Sequence, residues 1–410
     1  MGLDAKPERP SFAAVAERRF RLAGKAIIEK GHPYFVPVDT LEKKYAASPD
    51  GYLSLAHYDY LGLAKHPAVL KAAHDAIDSM GAGAGASRLV GGERSTHREL
   101  ERNLAEFLGV GDVLTMISGY LTNVSLINHL LGPRDLVLID ELAHNSIVVG
   151  AKSGKFECQT FDHNNFDDLE QRLAEARGNY RHVLVVVEGL YSMDGDIPDL
   201  PRLLEIKEAH DAWLLVDEAH SYGVLGDHGR GITEHFGIDP SRIELSVGTL
   251  SKSFASSGGF ICASADIIAW LRFTLPGFVY SVGLAPATVA TATAALEVLR
   301  GDKERVARLK RKSRLFLDTA RAAGLNPGDA IGEAVVPLFF DDPMQTMMVS
   351  HVLLEHGIYA PPIVQVGVPK DQPRIRFFFS AEHRDQDLIR AVDVVAAAVH
   401  GTLSVQMATS

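Results

Sequence analysis

Trp213-Leu214-Leu215-Val216-Asp217-Glu218-Ala219-His220 reads as a short buried strand that delivers an acid and an imidazole at its end. Further along, Gly248-Thr249-Leu250-Ser251-Lys252-Ser253 delivers a lysine amine after the apolar run 244–247. Apolar runs without polar alternation mark strands covered on both faces. The same pattern recurs at Val113–Ile117, Leu136–Ile139 and Val183–Val187. Helical periodicity fills the intervals at 97–108, 121–131, 167–176 and 200–210. Strands alternating with helices predict an α/β fold with a mostly parallel sheet. Such sheets place ligands beyond the carboxyl ends of their strands. Glu188, Asp217 and Thr249 all fall at such ends.

The flanks read differently. Residues 11–30 form an amphipathic pattern closed by Gly31, followed by the proline-punctuated segment His32–Pro37 and a helix from Pro67 to Met80. After a long helix near 285–300 come a charged helix (302–323), apolar segments at Ala334–Phe340 and Arg374–Phe379, and helices near 344–356 and 385–399. The expected organisation is an N-terminal helix and extended arm (1–60), a large α/β domain (61–301) and a smaller C-terminal α+β domain (302–410). The tail from Gly401 is expected to fray.

Composition excludes several classes. A net charge of -11 over 410 residues argues against nucleic acid as a main partner, because phosphate binding needs a basic footprint. Peripheral membrane contact stays open, since a local basic patch suffices for it. No run approaches the ~20 apolar residues of a membrane-spanning helix. Asp4, Lys6, Glu8 and Arg9 interrupt any signal-peptide core. Two cysteines, Cys158 and Cys262, allow at most one bridge, and a reducing cytoplasm is the simplest setting. His163, His182 and the other histidines lack an H-E-x-x-H arrangement, so no catalytic metal is expected.

Two motifs compete with the reading above. Gly81-Ala82-Gly83-Ala84-Gly85-Ala86 has the form of a dinucleotide fingerprint, but it follows a helix rather than a strand. It reads instead as a mobile or closely packed glycine loop. Asp217-Glu218-Ala219-His220 also spells a helicase box, yet no G-x-x-x-x-G-K-[ST] segment accompanies it.

The chemistry these groups suit is that of a pyridine aldehyde cofactor, pyridoxal 5'-phosphate. It needs a lysine for a Schiff base, a carboxylate facing the pyridine nitrogen, a cover for the ring, and backbone N–H groups at a helix start for the phosphate. Lys252 lies among Thr249, Ser251 and Ser253, accessible to a bulky aldehyde. Asp217 and His220 end their strand, Ser118-Gly119-Tyr120 opens a helix after the run 113–117, and His144 follows another strand end. Singly, each has a bland alternative: a solvated lysine, a capping aspartate, an ordinary N-cap, a structural histidine. Jointly they point to one site.

At this point the chain resembles the α-oxoamine synthases. The resemblance rests on Asp217–Gly223 with Gly229-Arg230-Gly231, on Gly248–Ser253, on Tyr60-Leu61-Gly62-Leu63, Ser87-Arg88 and Ser118-Gly119-Tyr120, and on His144-x-Ser146-Ile147 and Tyr191–Asp196. It spans roughly residues 25–400. It implies the type I aminotransferase fold and a homodimer with shared active sites. It also implies a decarboxylating condensation of a small amino acid with an acyl-CoA or acyl-carrier-protein thioester. By that resemblance Lys252 holds the cofactor, Asp217 meets its pyridine nitrogen, and His220 with Ser192 its ring hydroxyl. His144 covers the ring. Gly119, Tyr120, Thr249 and Ser251 approach the phosphate, with Ser281 arriving from the other subunit. Arg376 engages the amino-acid carboxylate.

Tyr58 and the segment 31–37 resemble the serine palmitoyltransferases, and Ser87-Arg88 resembles the alanine- and serine-using members. By these motifs Tyr58, Asp59, Ser87 and Arg88 are expected to contact the substrate, and serine with a long acyl thioester is the first expectation. Asp59, Gly91 and Gly283 depart from that pattern. Alanine with a pimeloyl thioester, as in 8-amino-7-oxononanoate synthases, is the alternative, and a non-catalytic subunit of the same fold is a third.

Overall fold

The computed structural model describes residues 10–22, 34–48, 51–176, 178–364 and 372–402. A helix runs over Phe12–Leu22. The rest of the pattern expected over 11–30, the segment 31–33 and the tail beyond 402 lie outside the described residues.

Among the described residues the strands fall into three sheets. The first, β1 (Leu53–Ser54), precedes the seven-stranded sheet of β2 (Asp112–Met116), β3 (Leu136–Asp140), β4 (Glu157–Phe161), β5 (Val183–Glu188), β6 (Trp213–Asp217), β7 (Leu245–Thr249) and β8 (Gly259–Ala263). Their spatial order is β2-β8-β7-β6-β5-β3-β4. All neighbours are parallel except β8, which runs antiparallel to both β2 and β7. The expected mostly parallel sheet is therefore present. Strand β8 follows the lysine segment directly and returns along β7, with Thr249 opposite Gly259.

Alternate residues of each strand feed opposite layers. Leu138, Val185, Val187, Leu214 and Val216 enter one core cluster. Val137, Ile139, Leu184, Val186 and Leu215 enter the other. Each is worth roughly 1.5–3 kcal/mol when fully buried, which explains why these strands show no polar face. Helices Pro67–Met80 and Pro286–Gly301 pack against one another outside the sheet.

The C-terminal region carries β9 (Val335–Phe339), β10 (Ile358–Tyr359), β11 (Pro362–Ile363) and β12 (Arg374–Phe378). Strands β11, β12 and β9 form an antiparallel sheet. Strand β10 pairs in parallel with β1, so the segment 53–54 near the end of the expected N-terminal arm is tied to the C-terminal region. Helices Glu304–Ala322, Pro343–Glu355 and Asp385–Val399 match the expected segments closely. The glycine loop after Met80 is not closely packed, because a Cβ at Gly81, Gly83 or Gly85 would meet nothing within 4 Å.

Candidate active site

The carboxyl ends of β5, β6 and β7 converge on one cavity of about 570 Å³. Twelve of the expected residues line it: Tyr58, Ser118, Gly119, Tyr120, His144, Ser192, Asp217, His220, Thr249, Ser251, Lys252 and Arg376.

Local folding explains each placement. Ser118 caps helix Gly119–Leu130, its Oγ accepting from Leu121 N–H at 3.4 Å. The first N–H groups of that helix, on Gly119 and Tyr120, have no intrahelical acceptor and carry the positive end of the helix dipole. A Cβ on Gly119 would sit 3.0 Å from Thr249 Oγ1, so glycine is what lets the helix start meet β7. Thr249 Oγ1 lies 2.8 Å from Ser251 Oγ and donates to Gly258 O at 3.0 Å. Hydroxyls and free N–H groups thus face one corner, an anion cradle.

Asp217 ends β6 in the interior. Its Oδ1 accepts from Ala219 N–H at 2.9 Å and its Oδ2 from Asn123 Nδ2 at 2.6 Å. His144 caps helix Asn145–Ser153 and its own N–H donates to Glu188 Oε1 at 2.6 Å. Burial lowers the His144 pKa, and the charges of Lys252 and Arg376 lower it further against the pull of Asp217. Burial and the same two cations push His220 well below the ordinary histidine value. Burial brings the Lys252 amine down to about 8, with Asp217 and Glu188 opposing. A lysine near 8 is partly neutral at physiological pH and can act as nucleophile or base. Its Nζ stands 5.6 Å from the Tyr58 ring centroid. Arg376 donates to Ser192 O and Oγ at 3.3 and 3.2 Å, while its Nε is buried without a partner.

Four expected residues are not brought into the cavity. The Asp59 carboxylate caps the Leu63 and Ala64 N–H groups at 2.8 and 3.1 Å. Arg88 is buried and holds Glu93 and Glu101, so its guanidinium is already neutralised. Ser87 bridges Val282. Ser281 lines a separate narrow crevice with Arg88 and Ile117.

Residues 50–395 match the model of the aminotransferase class I and II family. Over 344 residues the chain is 40% identical to the 8-amino-7-oxononanoate synthase of Beijerinckia indica, covering 84% of this chain and 87% of that protein. The structure of Sphingomonas wittichii serine palmitoyltransferase superposes with a TM-score of 0.86 at 30% identity, over 95% of this chain and 97% of that one. The S. paucimobilis serine palmitoyltransferase with a bound PLP–myriocin aldimine gives 0.82 at 31% identity, over 86% and 89%. The chain belongs to the α-oxoamine synthases. As an α-oxoamine synthase it has the type I aminotransferase fold and is a pyridoxal phosphate-dependent acyltransferase.

The cavity of this α-oxoamine synthase fits that cofactor: an anion cradle at one corner, an anchored carboxylate on β6 and a lysine of lowered basicity. Sequence reasoning overlooked three of its contributors. Asn123 donates both to Asp217 and to Ser146 Oγ, the latter at 3.0 Å. It sits one helical turn after Gly119, buried with Thr122, Leu126 and Ile127. Ser146 and Tyr60 appeared in matched motifs without a role. Tyr60 OH lies 2.6 Å from His220 Nδ1.

Proposed function

We propose that this enzyme joins L-alanine to a pimeloyl thioester, with loss of carbon dioxide and the thiol, giving an α-amino ketone. The observation that carries the reaction class is one cavity holding Lys252, Asp217, His144, His220 and Arg376. The substrate pair follows the curated relatives, which bear the name 8-amino-7-oxononanoate synthase. They favour alanine over the serine expected from Tyr58 and the segment 31–37.

Residue roles follow from position. Gly119, Tyr120, Thr249 and Ser251 hold the cofactor phosphate, and Lys252 attaches the cofactor. Asp217, braced by Asn123 and the Ala219 N–H, would meet its ring nitrogen. His144 would cover the ring, and His220 with Ser192 would meet its hydroxyl. Pyridoxal phosphate supplies an electron sink for the amino acid's Cα. Arg376, with a buried unpaired Nε, holds the substrate carboxylate. Lys252, whose basicity is lowered, would be the base that takes the Cα proton.

The active form is a homodimer, with Ser281 serving the partner's phosphate cradle. Ser281 misses its own cavity and lies between Tyr280, 85% exposed, and Val282, 55% exposed. The free cysteines suit a cytoplasmic setting. Among the described residues no helix is long and apolar enough to cross a membrane.

The serine reading keeps one observation in its favour, the similarity to solved serine palmitoyltransferases over 95% of the chain. Thiol release decides between them. Alanine, serine and glycine are each paired with pimeloyl-CoA, pimeloyl carrier protein and palmitoyl-CoA. Fastest release with alanine and a pimeloyl thioester is expected. Faster release with serine and palmitoyl-CoA replaces this reading, and no release with any pair assigns the chain to the non-catalytic subunits.

A further inference from the structure

Two imidazoles border the cavity, and both have the same nitrogen tied from behind. His220 Nδ1 meets Tyr60 OH at 2.6 Å. His144 Nδ1 meets Ser146 Oγ at 2.7 Å and also the Ser146 backbone N–H at 3.3 Å. A backbone N–H can only donate, so His144 Nδ1 must present a lone pair. The Ser146 oxygen in turn accepts from Asn123 Nδ2, which leaves its hydrogen for His144. Asn123 spends its second amide hydrogen on Asp217. The chain of donors therefore runs in one direction, from Asn123 through Ser146 to His144.

The same accounting applies to Tyr60. Its phenol is fully buried, and His220 Nδ1 is the one hydrogen-bond partner among the described residues. If His220 Nδ1 carried the proton instead, the phenol hydrogen would be buried without an acceptor, an unfavourable arrangement. Burial raises the Tyr60 pKa well above its ordinary value, so the phenol keeps its hydrogen. The cations Lys252 and Arg376 oppose a charge on either ring.

We propose that the buried hydroxyls of Tyr60 and Ser146 are positioning groups that fix His220 and His144 as neutral imidazoles protonated on Nε2. Each ring then keeps one N–H donor for the cavity and cannot accept a proton from substrate through Nδ1. His220 offers its N–H to an anionic oxygen on the bound ring. His144 covers the ring without adding charge, leaving Lys252 as the group that moves the Cα proton. What the two N–H groups meet rests on the cofactor reading above; the tautomers themselves do not.

The test uses full-length protein labelled with 15N-histidine, with its cofactor as purified. Long-range 1H–15N spectra report the tautomer of each ring, and His144→Asn and His220→Asn assign the signals. Wild type is expected to show both rings with a bare Nδ1 and a protonated Nε2. Tyr60→Phe should scramble His220 alone. Ser146→Ala keeps the backbone N–H and should weaken the Nδ1 lone-pair preference of His144, shifting its 15N signals while leaving those of His220 unchanged. Each should weaken cofactor affinity roughly tenfold, the scale of one hydrogen bond. An imidazolium or an Nδ1–H form at either ring in wild type overturns the proposal. So does a variant whose target ring is unchanged. Should Tyr60→Phe fail to fold by thermal melting, Ser146→Ala decides alone. Protein lacking any cofactor absorbance defeats the functional reading, while the same spectra still report the tautomers.

Discussion

His163 offers the sharpest test of how the active-site loops are held. It sits just past β4, with Nδ1 2.9 Å from Asp140 Oδ1 and Nε2 2.9 Å from Asp196 Oδ2. Its N–H donates to Glu141 Oε1 at 3.1 Å, and its ring meets Tyr191 edge-on at 4.6 Å. Asp196 ends the loop that carries Ser192 and Met193 to the cavity. Arg374 secures the same loop through Met193 O and Asp194 Oδ1 at 3.0 and 2.6 Å. Burial alone would lower the His163 pKa, but hydrogen bonds to the two aspartates raise it from 6.5 to about 10. At 1.36 kcal/mol per pH unit, that gap amounts to ~5 kcal/mol of stabilisation at most. The side chain is 18% exposed, and relaxation around a lost charge returns part of this, so about half is expected in practice. The sign is definite. A raised pKa gives its full stabilisation below the unfolded value of 6.5 and loses it as pH climbs to about 10. His163→Gln should therefore cost roughly 2–3 kcal/mol at pH 6, about half that at pH 8 and little from this source at pH 10. Urea unfolding of wild type and variant side by side, with histidine NMR on wild type, measures this. The reasoning fails if the difference is flat from pH 6 to 10, or if His163 titrates near 6.5.

Other outcomes follow from the same geometry. Lys252→Ala should abolish thiol release yet leave a folded protein with an unchanged circular dichroism spectrum; retained turnover at the wild-type rate would sink the assignment. Loading of cofactor-free enzyme with pyridoxal phosphate should speed up with pH and level off above about 8, as the Lys252 amine becomes neutral; an absorbance time course at each pH reads this. Asn123→Leu removes both donors and should cost about 1–3 kcal/mol of stability, together with weaker cofactor binding by fluorescence titration. Sedimentation should give a dimer, and mixing inactive Lys252→Ala with a Ser281→Asp variant of damaged phosphate cradle should restore part of the activity in mixed dimers.

Much of this site was readable because its chemistry sits at the ends of apolar runs. Trp213–Val216 could hardly be anything but a covered strand, so Asp217 had to emerge at its edge. Strand β4 escaped that logic. It lies at the sheet edge, and Glu157, Gln159 and Thr160 break the apolar run. Strand β8 escaped for another reason: it begins at Gly259 inside a glycine-rich segment that reads as loop, and its direction is set by pairing with β7 rather than by local pattern. Asn123 needed tertiary information, because nothing local distinguishes it from a solvated helical asparagine. Arg88 and Asp59 show the converse. Motif position suggested substrate contact, whereas Glu93, Glu101 and the Leu63 N–H claim their charges first.

Register carries the last part of the chemistry. Glu188 and Asp217 are Cα partners on adjacent parallel strands, both buried and both at the cavity edge. Burial and the neighbouring Asp217 push Glu188 well above the usual carboxylate range, while the His144 N–H and Lys252 only partly oppose this. Asp217 instead accepts from Asn123 Nδ2 and the Ala219 N–H, and Glu188 anchors the His144 backbone. A slip of β5 by one residue would turn Glu188 to the opposite face and set Val187 or Gly189 beside Asp217. His144 would lose its anchor while every catalytic side chain remained in the chain. The apolar runs therefore position the acid–base groups directly, through the register that their two-sided burial enforces.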